Sequence, residues 1–334
     1  MVSFEGGWST SFISASLLGS WGQIGVILFV IVTSWFSVDR QGIKSVKAVT
    51  IALKAWITSL LIVLIMLLVP SLPSPSLRTV IVELMTPFYQ QYWFVTTFLF
   101  FYMILPLLQK LVGRMDAKTL GLICLLLTPL IPLYNYLWQN VGGSLADFIY
   151  IFLLTGYLKR KEGNWFETHR HLAIIGILAL EGMIIALKLI FTYVISGHDN
   201  GFIMLYQNLR GRTFLSIGVS FLIFYCFKNY HIRYHKWINV AGKATFAIYL
   251  LHENMLLRIV DGHKSLLWSG LFHIDWWYQN SSFAWIVHIL AVVTVFIVCL
   301  PISLLLNTMT ERMVFKPVRR MCKRLDTAYG RIFS

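Results

Sequence analysis

The sequence is short of charge. Of its 334 residues only 13% are Asp, Glu, Lys or Arg, about half the share found in soluble proteins. Hydrophobic residues make up 57%, and so few polar side chains cannot cover the water-facing surface of a globular protein. A lipid bilayer removes this difficulty, because it solvates apolar faces. The composition therefore excludes an ordinary soluble fold and predicts an all-α, polytopic integral membrane protein.

Cysteine is also scarce, and it shows no pairing or metal-ligand spacing. No CxxC occurs among the four cysteines, and three of them fall inside apolar runs, as buried hydrophobic side chains do. The nucleotide-binding patterns GxxxxGK[ST] and GxGxxG are absent, as are HExxH, GxSxG and H-x4-D. We therefore predict neither disulfides nor a metal site, and these common catalytic motifs are excluded.

Long apolar runs organise the chain. A spanning helix needs roughly 20 mostly apolar residues, and no internal repeat, low-complexity linker or soluble domain interrupts the pattern. Residues 1–312 are predicted to form one transmembrane domain, and 313–334 a basic tail. About nine transmembrane helices are predicted, at 22–38, 46–70, 91–112, 118–138, 144–158, 172–195, 213–229, 240–258 and 283–309.

Loops rich in Lys and Arg alternate along the chain with loops that contain few, as expected if the two kinds lie on opposite sides of the membrane. Of the 28 Lys and Arg residues, 22 lie in loops that follow odd-numbered spans or in the tail. The positive-inside rule then places the C-terminus in the cytoplasm and the protein in the plasma membrane. The net charge of +14 is explained by this orientation, so the bilayer is the expected partner and nucleic acid is not.

The first 20 residues pose a topological question. Nine spans with a cytoplasmic C-terminus put residues 1–20 outside, and this Ser- and Gly-containing stretch, with neither Lys nor Arg, resembles an extracytoplasmic loop. It is not a signal peptide, because it has no basic n-region. One interpretation is a missing helix before Met1, which would give ten spans with both ends inside. The alternative is a short uncharged N-terminus that is simply translocated.

Polar side chains near the outer end of the eighth span are candidate functional residues. A charge at the centre of a membrane-spanning helix costs about 2.5–3.5 kcal/mol, so charged residues within a span indicate function. His252 and Glu253 are candidate catalytic residues, with His252 as a base or acid. Asn254 and Arg258 are candidates for substrate binding. In a continuous helix His252 and Glu253 would not share a face. The alternative is that this polar run meets lipid headgroups at the end of a helix.

Two further basic pairs are candidates for binding. Arg210 and Arg212 lie on the outer side, against the positive-inside trend, which suits an anionic or polar acceptor. Snorkelling to lipid phosphate is the alternative explanation. Lys44 and Lys47 lead into the second span from the cytoplasm, where they are candidates to bind the phosphates of a nucleotide-type donor. The alternative is that they only orient the chain in the membrane, and taken alone the two lysines favour that explanation.

The sixth span carries two charges of opposite sign. Glu181 and Lys188 lie seven residues apart, so they occupy one face of the helix. We interpret them as structural, pairing through a common partner or with residues of neighbouring helices.

Four segments resemble the membrane acyltransferase 3 family, in the family's order and over nearly the whole chain. They are GQIGVILFVIVTSWFSV (22–38), QYWFVTTFLFFYMILPLL (91–108), FIYIFLLTGYLKR (148–160) and FAIYLLHENMLLR (246–258). The closest branch is that of the polysaccharide-modifying enzymes. The resemblance implies ten transmembrane helices. It also implies transfer of an acyl group, usually acetyl from acetyl-CoA on the cytoplasmic side, to a sugar hydroxyl of a surface polysaccharide or its lipid-linked precursor.

The resemblance also assigns residues by position. Tyr92 and Trp93 match one family motif and His252, Glu253 and Asn254 another, while Lys44 and Lys47 fall where the family has a basic run. The chain departs from the family in three places. The family's presumed catalytic histidine lies in the first helix, which is not among these segments. Thr33, Ser34 and Trp35 replace an S-G-F/Y turn, and Met255 replaces a proline.

The leading hypothesis is therefore a membrane-bound O-acyltransferase. Its substrate-binding residues would be Tyr92, Trp93 and Asn254, together with the outer arginines. The rival hypothesis is a non-enzymatic polysaccharide exporter or flippase, or an inactive acyltransferase relative. It would use the same outward cavity, with Arg210, Arg212 and His252 as binding groups.

Overall fold

The computed structural model describes most of the chain, and the described part is helical. Its residues are 10–40, 42–70, 72, 74–86, 92–137, 143–161, 169–194, 214–228, 230, 233–258, 266–314 and 316–333. The helices are α1 (Thr10–Ser37), α2 (Ser45–Leu68), α3 (Leu77–Leu84), α4 (Trp93–Arg114), α5 (Ala117–Leu137), α6 (Gly143–Arg160), α7 (Arg170–Val194), α8 (Phe214–Lys228), α9 (Lys236–His252), α10 (Met255–Arg258), α11 (Ile274–Asn280), α12 (Ala284–Met313) and α13 (Lys316–Phe333). A π-helical segment covers Leu266–Leu271.

All nine segments predicted as spans are helical over most of their length, and two of the helices have an end that differs from the prediction by more than four residues. Helix α1 begins at Thr10, so the prediction of a loop through residue 20 is wrong for residues 10–20. Hydropathy measures preference for lipid and not helicity, and a helix can continue past its apolar part. Helix α9 ends at His252 instead of residue 258. The chain breaks there and resumes as the single turn α10.

The helices have the apolar surfaces of a membrane protein. Within the described residues, α2, α4 and α12 are long and apolar enough to cross a bilayer, by length and composition. Four other helices contain shorter apolar stretches: Trp21–Ser37, Ala117–Ile131, His171–Leu187 and Leu215–Lys228. Large apolar side chains stand exposed along these helices, among them Leu68 on α2, Leu125 on α5, Leu178 on α7 and Leu305 on α12. The chain is therefore an all-α membrane protein.

Helix α4 lies at the centre of the bundle and packs through aromatic rings. Phe94, Phe98 and Phe101 follow one face of α4 at helical spacing, and all three are buried. The Phe101 ring meets those of Phe148 and Phe152 on α6 edge-on, with centroids 5.9 and 6.1 Å apart. Such pairs add to the packing beyond the area they bury. The core is therefore rigid where α4 and α6 cross.

Two glycines allow helices to approach closely. A Cβ atom on Gly156 of α6 would lie 2.9 Å from Val112 Cγ1 and 3.2 Å from Val38 Cγ2. A Cβ on Gly121 of α5 would lie 2.7 Å from the Tyr157 ring. Small residues at membrane helix contacts serve this purpose, because van der Waals packing is the main attraction between helices in lipid.

The basic loops meet at one end of the bundle. Lys159 of α6 donates to the Trp35 carbonyl at 2.8 Å and pairs with Asp39. The Lys228 ammonium lies 4.2 Å from the centre of the Trp35 ring. Arg160 donates to carbonyl groups at the end of α4. Lysines from the loops after the fifth and seventh predicted spans therefore converge on the C-terminal end of α1. We call this side of the bundle the basic end.

The stretch between α2 and α4 does not simply loop around the outside. Ser76 caps α3, accepting from the Thr79 N–H at 3.2 Å, and α3 runs back alongside α2. Its last carbonyl, at Leu84, accepts from Trp56 Nε1 at 3.2 Å. Trp56 lies near the middle of α2, about 18 Å from either end at 1.5 Å per residue. Helix α3 therefore enters the bundle from the end opposite the basic end and stops about halfway.

The basic tail is a docked helix. The Ser45 N–H, at the start of α2, donates to Asp326 Oδ1 at 2.7 Å, and Ser45 Oγ donates to the Cys322 carbonyl at 2.9 Å. The Cys322 side chain is buried, whereas Arg320 and Arg324 on the same helix are exposed. A carboxylate at a helix N-terminus is favourable, because backbone N–H groups point at it. Helix α13 therefore packs against the membrane domain and is not a free extension.

Candidate functional site

A buried polar cluster joins three parts of the chain. Asn254 Nδ2 donates to the Tyr92 hydroxyl at 2.8 Å and to Glu83 Oε2 at 3.3 Å. All three residues are at most 1% exposed. Buried polar groups in an apolar surrounding are costly unless they are hydrogen-bonded, and costlier still when they carry charge. We call Glu83, Tyr92 and Asn254 the buried polar cluster.

Each member of the cluster sits where a helix starts or stops. Tyr92 immediately precedes α4, and its hydroxyl donates to the Leu250 carbonyl of α9 at 2.8 Å. Asn254 lies in the break between α9 and α10, where its Oδ1 accepts from the Leu256 N–H at 2.9 Å. Asparagine favours such turns because its side chain replaces a missing backbone hydrogen bond. Glu83 comes from α3, which ends beside α2.

The cluster lies deep in the bundle. The neighbouring side chains of Ser59 on α2 and Thr86 share a hydrogen bond of 3.3 Å, and both are buried. Ser59 is about 21 Å from the start of α2 and about 14 Å from its end. A hydrocarbon core is about 30 Å thick, so the cluster is far from either surface. Polar residues at such depth are expensive and mark functional sites by default.

His252 is held with one nitrogen available. Its Nδ1 lies 2.8 Å from the Ile248 carbonyl. A carbonyl oxygen only accepts, so Nδ1 carries the proton and the neutral ring has its lone pair on Nε2. Nε2 lies 3.9 Å from Glu253 Oε1, too far for a hydrogen bond. The two side chains are 25% and 30% exposed, so the described residues do not enclose them.

The proximity of His252 to Glu253 differs from the expectation for a continuous helix. Glu253 has φ −94° and ψ 7° and caps α9, so its side chain turns back toward the histidine. The ring of Trp268, from the π-helical segment, meets His252 edge-on with centroids 6.4 Å apart. The end of α9 therefore presents a histidine, a carboxylate and an aromatic ring together.

A cavity lies between α2, the end of α12 and α13. It encloses about 420 Å³, and we call it the tail cavity. Its lining residues are Lys44, Val46, Thr50, Glu311, Val314, Arg319, Cys322, Lys323 and Asp326. Of the two lysines predicted to bind a donor, Lys44 lines this cavity. Lys47 is exposed and does not belong to the lining.

Trp93 faces away from Tyr92, as neighbouring helical residues do. It lines a cavity of about 20 Å³ with Gln23 of α1 and Asp147 of α6. That volume suffices for about one water molecule. Asp147 is buried, and sequence reasoning did not select it. Tyr92 and Trp93 thus serve different sites.

Most of the remaining predicted residues lie outside the part of the chain that the structure describes. Arg210 and Arg212 lie outside the described residues, as do the side chains of Arg258 and Lys188. Glu181 is buried on α7. Over the described residues, no group of three or more His, Cys, Asp or Glu side chains is placed to hold a metal ion.

Glu83 is the main residue that sequence reasoning missed. It stands in LRTVIVEL, a helix of eight residues, which are too few for a span. The one available signal was an acidic side chain in an otherwise apolar helical turn. Its partner Asn254 is 171 residues away, so no local pattern links the two.

The helices and their exposed apolar surfaces define a polytopic membrane protein that contains a buried polar cluster. A family model described as an acyltransferase domain matches residues 1–308, and the chain belongs to the acyltransferase 3 family. Acyltransferase activity follows from that membership. No curated protein and no solved structure matches the chain. The matched region ends within α12, before α13 begins.

Proposed function

We propose that the protein transfers an acetyl group from acetyl-CoA to a sugar hydroxyl of a cell-surface polysaccharide or its lipid-linked precursor. In this proposal the protein lies in the plasma membrane with its basic end in the cytoplasm. The observation that carries the proposal is the hydrogen bond from His252 Nδ1 to the Ile248 carbonyl. It leaves Nε2 as a proton acceptor, two residues from the buried polar cluster.

The proposed reaction begins with the acceptor hydroxyl beside His252. Nε2 removes the hydroxyl proton as the oxygen attacks the thioester carbonyl, forming a tetrahedral oxyanion. The oxyanion collapses, the C–S bond breaks, and the imidazolium returns the proton to the departing CoA sulfur. Glu253, with its Oε1 at 3.9 Å, stabilises the imidazolium while it exists. The products are the acetyl ester and CoA, so charge and protons balance.

The donor would approach along α2. Thr50, Lys54 and Thr58 are spaced by four residues, so they form a polar stripe on one face of a helix that is otherwise apolar. Thr50 lines the tail cavity, and Thr58 is buried next to Ser59, at the level of the cluster. Lys44 and Thr58 are about 21 Å apart along the helix. An extended pantetheine arm has a comparable length, which lets a donor held at the basic end reach the cluster.

The proposal is tested by the acetyl content of the surface glycan in a strain without the gene. The strain is complemented with the natural gene, with His252→Gln and with His235→Gln. Glutamine places an amide near the position of Nε2, and this amide cannot accept a proton at neutral pH. We expect transfer to fall by roughly 10²–10⁴-fold for His252→Gln. His235 is exposed at the start of α9, so its variant should behave like the natural protein.

Two results would contradict the proposal in different ways. Unchanged acetylation of the glycan in the deletion strain would reject polysaccharide as the acceptor. Normal transfer by His252→Gln, with protein present in the membrane at natural levels, would reject His252 as the base.

A further inference from the structure

Helix α13 lies beyond the region that the family model matches, yet it forms one wall of the tail cavity. Two observations show that it is positioned and not merely nearby. Its Asp326 and Cys322 are hydrogen-bonded to Ser45 at the start of α2, and the Cys322 side chain is 1% exposed. The position of Lys44 is fixed as well, because its N–H and carbonyl both bond the Tyr102 hydroxyl, at 3.1 and 3.2 Å.

The charges in the tail cavity leave a positive surplus. The lining contains three cations and two carboxylates, so it carries one net positive charge. Asp326 accepts from the Ser45 N–H, and Glu311 lies within Coulombic range of Lys54. The lining cations are Lys44, Arg319 and Lys323. Among the described residues these three form no ion pair.

The three cations are also arranged for one ligand. Arg319 and Lys323 are four residues apart, so they project from the same face of α13. Lys44, just before α2, lines the same cavity of about 420 Å³. Guanidinium and ammonium groups that line one cavity suit phosphate oxygens, since charge-assisted hydrogen bonds are short and strong.

We propose that α13 completes the acyl-donor site, with Arg319, Lys323 and Lys44 holding the phosphate groups of the nucleotide portion of CoA. This inference rests on the proposed function, because it takes CoA as the donor. It assigns a substrate-binding role to a segment outside the matched acyltransferase domain. The pantetheine arm then starts from the tail cavity and follows the polar stripe of α2.

The test compares two double variants of the full chain in nanodiscs of phosphatidylcholine, a lipid without net charge. The first is Arg319→Gln with Lys323→Gln. The second, Arg320→Gln with Arg324→Gln, removes the same charge from the same helix, but neither residue lines the tail cavity. Calorimetry measures the binding of CoA and of pantetheine, which has no phosphate. Acetyl transfer gives KM and kcat for acetyl-CoA.

For the first variant we expect CoA binding to weaken by roughly 10- to 100-fold, because two charge-assisted hydrogen-bond donors are lost. KM for acetyl-CoA should rise by a similar factor, with kcat nearly unchanged, since the lost contacts act on binding and not on the transition state alone. The control variant should stay within about twofold of the natural protein, and pantetheine should bind all three equally. All four residues are exposed, so misfolding is not expected, and the melting temperature checks this.

Equal weakening in both variants would overturn the inference, because it would show a general effect of charge. Unchanged CoA binding in the first variant would overturn the inference too. The inference would also be overturned if the first variant bound CoA normally but no longer bound phosphatidylglycerol vesicles. In that last case the cavity recognises lipid headgroups. A natural protein that binds no CoA would instead refute the donor in the proposed function, and this inference with it.

Discussion

The hydrogen bond between Asn254 and Tyr92 allows a quantitative test of the buried polar cluster. Tyr92→Phe removes the bond from Asn254 and the bond to the Leu250 carbonyl. At about 1 kcal/mol for each bond, the expected loss of unfolding free energy is about 2 kcal/mol. Asn254→Ala removes three bonds and leaves Glu83 with one donor fewer. The expected loss there is about 3 kcal/mol or more.

The two losses are not additive if the bond is real. The shared bond is counted in both single variants but is lost only once in the double variant. The double variant should therefore be less destabilised than the sum, by about 0.6–1 kcal/mol. Tyr102→Phe provides the matched control, since it is the same change on the same helix about 15 Å away. Its combination with Asn254→Ala should be additive.

Each double-mutant cycle compares the natural protein, the two single variants and the double variant. Reversible unfolding in mixed micelles with increasing SDS gives the free energy of unfolding of all four proteins. A coupling of zero for Tyr92 and Asn254, within about 0.3 kcal/mol, would show that the two side chains do not interact. An equal coupling for Tyr102 would show that the effect is a general property of the bundle and not of the shared bond. Either result would refute the reasoning that makes this cluster a single unit.

Three further predictions concern packing and docking. Gly156→Ala should lower the free energy of unfolding by about 1–3 kcal/mol through overpacking. The control is Gly182→Ala, where a Cβ atom meets open space. This variant should leave the free energy of unfolding unchanged or raise it by about 0.5–1 kcal/mol in the same assay. Trp35→Leu should destabilise the basic end by about 0.5–2 kcal/mol through loss of its cation–π contacts with Lys228 and Lys159. The substitution Phe36→Leu, at an exposed position, should change little. Asp326→Ala should release α13, seen as faster limited proteolysis of the tail, and an unchanged rate would contradict the docking.

The helices of the membrane domain were predictable because their signal is local. A bilayer demands long apolar runs, and each run can be recognised within a window of about 20 residues. The nine predicted segments are helical for this reason. The clustering of Lys159 and Lys228 at one end follows from the same alternation of charge. His252 and Asn254 were predicted from the polar run at the end of the eighth span and Tyr92 from the family resemblance, and the structure places Tyr92 and Asn254 in hydrogen-bonding contact.

Features shorter than a span, or shared between distant segments, were not predictable. Helix α3 has eight residues and enters only halfway, so no hydropathy window detects it, and Glu83 was missed with it. The approach of His252 to Glu253 depends on α9 ending at His252, which a helical pattern does not predict.

The sequence by itself determined that this chain is an all-α membrane protein, because lipid selects for apolar length and for the distribution of positive charge, and its segments place it in the acyltransferase 3 family. Only the tertiary structure decided that α3, α4 and α9 meet at one buried polar cluster, and that the tail docks on α2. Those arrangements depend on hydrogen bonds between residues such as Glu83 and Asn254, or Ser45 and Asp326. Such bonds form only when packing brings distant segments within about 3 Å.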